Sequence, residues 1–117
     1  MTITLYGISN CDTVKKARTW LAARNTDVTW HDFKKQGVPE TDLDTWLKAV
    51  GWEKLVNRQG TTWRKLPDED KAAVVDAASA RELMLRQHSV IKRPVVEWHN
   101  GQVTVGFSEA LFEQHFG

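Results

Sequence analysis

Residues 2–33 read TITLYGISNCDTVKKARTWLAARNTDVTWHDF. Ile3 and Leu5 alternate with Thr2, Thr4 and Tyr6, a period of two that predicts a strand. Gly7, Ser9 and Asn10 break it. Val14, Ala17 and Leu21 then recur at three and four residues, with Trp20 beside them. That spacing predicts a helix whose outer side carries Lys15, Lys16 and Arg18. Asn25-Thr26-Asp27 closes the helix. Residues 28–33 are rich in β-branched and aromatic side chains and predict a second strand. Strand, helix and strand in this order predict a right-handed crossover between parallel strands.

Residues 39–90 carry no convincing strand pattern. Leu43, Trp46, Leu47 and Val50 fit a helix, with Pro39 at its start and Gly51 at its end. Pro67 followed by Asp68, Glu69 and Asp70 starts another, its acids where the helix dipole favours them. A further helix runs through Leu83 and Met84. The pattern then returns to strands at residues 95–99, and Asn100-Gly101 is a strong hairpin signal. Val103, Val105 and Phe107 alternate as the antiparallel partner. Ser108 can cap a last helix with Glu109 in its first turn and Leu111, Phe112 and Phe116 on its apolar side. Lys34-Lys35 is expected in a loop. The outline is α/β: βαβ, a helical insertion over about residues 39–90, then ββα on a mixed sheet.

The sequence has 117 residues, 41% hydrophobic and 26% charged, which is the make-up of a soluble globular chain long enough for one domain. Residues 1–117 are therefore expected to form a single domain. Sixteen Lys and Arg against fifteen Asp and Glu leave a net charge of +1, which argues against a nucleic-acid partner held by bulk electrostatics. Residues 1–6 lack the apolar run of a signal peptide. No stretch reaches transmembrane length, so no membrane partner is expected. A single cysteine excludes an internal disulfide and the usual cysteine-rich zinc site. His31, His88, His99 and His115 show no metal-ligand spacing. No metal or bound cofactor is expected, and the chain reads as a cytoplasmic monomer with a reduced thiol.

Cys11 stands where the first strand gives way to the first helix, flanked by polar Asn10, Asp12 and Thr13. Unpaired N–H groups and the positive end of the helix dipole meet there, and they favour a thiolate. A helix start supplies at most ~2 kcal/mol, and Asp12 opposes it, so a nearby cation is required for a thiol ionised at neutral pH. The alternative role of a lone cysteine is that of a small buried hydrophobe. Phosphatases of the Cys-x5-Arg type are excluded by spacing: Ala17 occupies that place and Arg18 lies one residue beyond. Val14 occupies the second place of a Cys-x-x-Cys motif, so a mixed disulfide on Cys11 needs an external thiol to resolve it.

The run Thr4-Leu5-Tyr6-Gly7-Ile8-Ser9-Asn10-Cys11-Asp12-Thr13-Val14-Lys15-Lys16-Ala17-Arg18 resembles the arsenate reductase (ArsC) family, in particular its YffB-like branch, related to the Spx regulators. Gly60-Thr61-Thr62-Trp63-Arg64-Lys65-Leu66, Ile91-Lys92-Arg93-Pro94-Val95 and Val105-Gly106-Phe107-Ser108 carry the resemblance over essentially the whole chain. It implies a thioredoxin-like fold with a helical insertion, and thiol chemistry linked to glutathione or thioredoxin. Cys11 then matches the nucleophile. Arg93 matches an arginine that holds an anionic substrate or the thiolate, and Arg58 resembles a second one. Pro94 matches the cis-proline of the fold. Asn10, Asp12, Thr13, Arg64 and Pro94 are the candidate substrate-binding residues.

The resemblance implies a glutathione-dependent monothiol reductase, with glutathione as co-substrate and a small thiol or disulfide as substrate. The alternative it implies is an Spx-like adaptor that docks on a protein partner such as RNA polymerase. The sequence departs from the arsenate reductases in two places: their third arginine falls where Gly106-Phe107-Ser108 stands, and their histidine four places before the cysteine is Gly7.

Overall fold

Strand β1 (Ile3–Gly7) holds the centre of the fold. Helix α1 (Asp12–Ala22) and strand β2 (Val28–Asp32) follow it, and β2 pairs parallel to β1 with Leu5 opposite Trp30. After a long excursion the chain returns as β3 (Val95–Glu97) and β4 (Val103–Val105). Both of these pairings are antiparallel, giving one sheet in the order β2-β1-β3-β4. Helix α8 (Glu109–Phe116) ends the chain. The structure, a computed structural model, describes residues 2–116. They fall into two compact units, one made of the segment up to Gly37 and the segment from Arg93, the other of Val38–Lys92.

In the first unit the period of two sends Ile3, Leu5 and Val96 to one face of the sheet. Val14, Ala17, Trp20 and Leu21 of α1 and Phe112 of α8 join them in one core. Trp98 meets Phe112 edge-on at 5.0 Å, and Trp20 meets it at 5.5 Å. The Trp98 indole N–H donates to Thr104 Oγ at 2.9 Å, which satisfies a polar pair that the core would otherwise strand. On the opposite face, the Tyr6 hydroxyl donates to Glu97 at 2.9 Å, and the Tyr6 ring lies 5.0 Å from His31. Gly7 is required by packing: a Cβ there would lie 2.8 Å from a methyl of buried Val14.

The second unit is helical, in the order α3 (Glu40–Val50), α4 (Trp52–Leu55), α5 (Thr61–Arg64), α6 (Asp68–Ala73) and α7 (Ala77–Arg86), with a 3-10 turn at His88–Val90. Leu43 and Trp46 of α3, Leu55 of α4, and Ala80, Leu83 and Met84 of α7 are buried. Arg81 of α7 reaches Asp44 at 2.7 Å and Glu40 at 3.3 Å on α3. Asp76 and Ser79 cap α7 reciprocally. Val56 and Ile91 form an isolated antiparallel bridge, flanked by bonds from Asn57 N to Val90 O and from Lys92 N to Leu55 O.

Three local expectations are corrected. Lys34 and Lys35 lie in a short helix α2 (Phe33–Gln36), not a loop: the Asp32 carboxylate accepts from the Lys34 N–H at 2.8 Å, and Gly37 at φ 74° ends the turn. Strand β3 stops at Glu97 rather than His99, because the chain turns back from Trp98. Gly101 donates to Trp98 O with φ 87°, the glycine-closed three-residue form of hairpin loop. Strand β4 stops at Val105, where Gly106 turns to φ 81°, so Phe107 lies outside the strand and packs edge-on against Phe112 at 4.7 Å.

Candidate active site

Cys11 occupies the N-cap position of α1 with extended backbone, φ −98° and ψ 124°. Its carbonyl accepts the first helical hydrogen bond, from Lys15 N at 2.9 Å. The thiol is free, half-buried, and packed against the apolar core of the first unit. It makes no conventional cap hydrogen bond as a neutral group.

Partial burial pushes the Cys11 thiol up, because it disfavours the charged sulfur. Donation from the Val14 backbone N–H, from the Arg93 guanidinium with its charge, and from the Thr13 backbone N–H outweighs this. The thiol therefore sits below its ordinary value. The helix start acts here through two particular N–H groups rather than as a diffuse dipole, and Arg93 is the cation that a helix start alone lacks. Thr13 contributes its main chain, a role that its side chain gave no reason to expect.

Arg93 and Pro94 lie at the entrance to β3, joined by a cis peptide bond. Pro94 is buried, and its carbonyl accepts from Gly106 N at 2.9 Å, which ties the end of β4 to the residue beside Arg93. The Gly106-Phe107-Ser108 segment thus holds a glycine in left-handed backbone, an aromatic packed inward, and Ser108, whose hydroxyl accepts from Leu111 N to cap α8. None of the three is a cation. Asn10 and Asp12 are exposed on either side of the thiol.

Arg58 and Arg64 belong to the second unit. Arg58 stands over the Trp52 ring at 5.1 Å and is exposed. Arg64 donates through Nε and Nη2 to Gln59 O, at 3.1 and 2.8 Å. The Asn57 side chain accepts from Gln59 N, and a Cβ at Gly60 would lie 2.9 Å from Asn57 Nδ2, so the loop carrying Arg58 is shaped by its own residues. Among the described residues no group of His, Cys, Asp and Glu could hold a metal ion, and no helix is long and apolar enough to cross a membrane.

A strand-to-helix turn that holds a cysteine with a lowered pKa, and a cis-proline preceded by arginine, mark this α/β protein as one with a candidate thiol site. Residues 6–115 match the ArsC family, and the chain belongs to it. Its fold is the thioredoxin-like fold shared by ArsC-type proteins. An arsenate reductase (ArsC) related protein from Brucella melitensis is 55% identical, over 99% of this chain and 95% of its own, with a TM-score of 0.76. The solved YFFB protein is 45% identical over 99% of this chain and all of its own, with a TM-score of 0.92. A Haemophilus influenzae protein described as uncharacterized is 38% identical over 114 residues, 97% of this chain and 98% of its own.

Proposed function

We propose that this chain is a glutathione-dependent monothiol reductase of the cytoplasm that acts as a monomer. The observation that carries the reading is the placement of Cys11 at the N-cap of α1, where the Val14 and Thr13 N–H groups and Arg93 favour its thiolate, in a chain with a single cysteine. The Cys11 thiolate attacks the glutathione sulfur of a mixed disulfide R–S–S–G. The new bond joins Cys11 to glutathione, and R–S⁻ leaves and takes a proton from solvent. A second glutathione thiolate then attacks the glutathione sulfur on Cys11. This step releases oxidised glutathione and restores the Cys11 thiolate, so one glutathione thiol is consumed for each mixed disulfide reduced. Arg93 stabilises the thiolate as attacking and as leaving group. Arg58 and Arg64 are the remaining candidates for holding anionic groups of the substrate.

Arsenate is a poor substrate in this reading. Gly106, Phe107 and Ser108 supply no cation, and each charge-assisted bond to an oxyanion is worth ~1.5–3 kcal/mol. The test is turnover of a glutathionylated peptide with glutathione and glutathione reductase, run beside arsenate with glutaredoxin. Cys11-dependent turnover of the disulfide and feeble reduction of arsenate are expected. Reduction of arsenate alone would replace this reading with that of an arsenate reductase.

A further inference from the structure

The outer side of α1 carries a feature that the proposed chemistry does not use. Lys16, Trp20 and Arg24 recur at four-residue spacing and so lie in one stripe along the helix and the turn that follows it. With Lys15, Phe107 and Glu109 they line an open groove of about 630 Å³, the size of a ligand or peptide site. Its floor is aromatic and its rim is charged. Lys15, Lys16 and Glu109 are exposed, and none makes an ion pair among the described residues. The Arg24 guanidinium lies 3.4 Å over the Trp20 ring and spends one donor on Trp20 O, which leaves its others available. Trp20 is 6% exposed, and its indole N–H is buried without an acceptor among the described residues. A buried donor with no partner carries a free-energy cost where it stands. Three cations against one acid, over an aromatic floor, complement a segment that carries carboxylates and an apolar side chain.

We propose that this groove docks an acidic segment of the glutathionylated protein from which Cys11 takes the glutathione, and so selects substrates by the sequence beside the modified cysteine. The inference rests on the monothiol reading above and adds to it the class of substrate. The helix that begins at Cys11 rises ~1.5 Å per residue, which puts Lys16 about 8 Å and Trp20 about 14 Å along it. An extended peptide covers ~3.3 Å per residue, so the acidic positions fall roughly two to four residues from the target cysteine. Lys15, Lys16 and Arg24 hold the carboxylates, and the apolar side chain rests against the partly exposed Phe107. Glu109 opposes acids at its end of the groove and sets the direction in which the segment lies.

The test uses the full chain with Cys11→Ser, which removes the exchange chemistry and leaves the groove. The probe is a short synthetic peptide with glutamates and one phenylalanine, compared with its glutamine counterpart. Titration is followed by the indole N–H signals in a proton–nitrogen correlation spectrum, Trp20 being assigned by Trp20→Phe. A saturable shift of the Trp20 signal with the acidic peptide alone is expected. Lys16→Glu with Arg24→Glu should weaken binding by roughly tenfold or more, and Glu109→Gln should tighten it. Equal binding of both peptides, or an unmoved Trp20 signal, overturns the groove. The wild-type thiol is assayed on the same preparation. Ordinary disulfide exchange without peptide binding defeats the groove alone, whereas peptide binding beside an inert thiol defeats the reductase reading and, with it, the substrate role given to the groove.

Discussion

At Cys11, burial opposes ionisation while two backbone donors and one guanidinium favour it, and the donors win. The backbone donors cannot be removed by substitution without unwinding α1, but the guanidinium can. Arg93→Ala is therefore expected to raise the Cys11 pKa without returning it fully to that of a buried thiol, because the Val14 and Thr13 N–H groups remain. Adduct formation with oxidised glutathione near neutral pH should slow about tenfold, the worth of a charge-assisted hydrogen bond. Arg93→Lys should recover part of the charge but not the planar donor geometry. Thiolate absorbance against pH in the three proteins measures this, and an unchanged titration in Arg93→Ala would remove Arg93 from the site. Arg93 was legible at the residue scale only through the family pattern, since charge and spacing give no reason to single it out among the arginines. Cys11 was legible on its own, because a polar turn between a strand and a helix is a physical signal.

At the scale of elements, the join between β1 and α1 sets where the thiol stands. Gly7 allows it, since a methyl there would meet Val14, which is fully buried and has nowhere to retreat. Gly7→Ala is expected to destabilise the protein by about 1–3 kcal/mol through overpacking, read as a lower urea midpoint. Combining it with Val14→Ala should cost less than the sum of the two changes, because the second opens the space that the first demands. The same contact explains why a histidine could not stand at residue 7 without a shift of α1. Strand β1, helix α1, strand β2 and helix α8 were legible because each is long enough to show its period. Helices α2, α4 and α5 were not, because four residues complete one turn and leave no repeat to recognise. For α2 the signal lay at its ends instead, in Asp32 and Gly37.

For the molecule as a whole, the lowered thiol pKa makes stability depend on pH. Between the folded and the unfolded pKa the unfolded chain still holds the proton that the folded chain has lost, so stability rises with pH across that window. The gain is complete above the ordinary thiol value of about 8.5 and disappears as pH falls through the folded value. Urea midpoints for wild type minus Cys11→Ser should therefore increase on going from mildly acidic to alkaline pH. A flat difference would mean that the thiol titrates alike in both states. At this scale the mixed α/β outline and the helical insertion were legible. The groove on α1 was not: the sequence shows Lys15-Lys16 as a solvated face, and only folding sets Phe107 and Glu109 beside it.

The N-cap position of Cys11 also makes its sulfur a reporter. The amides of Thr13 and Val14 lean on the charge of that sulfur, and a glutathione adduct or an alkyl group takes the charge away. The first turn of α1 should then open more often, and these two amide protons should exchange with solvent faster, while those of Trp20 and Leu21 farther along the helix keep their rates. Hydrogen exchange followed residue by residue, before and after adduct formation, would thus record the redox history of the protein in its backbone, with no dye and no assay of turnover.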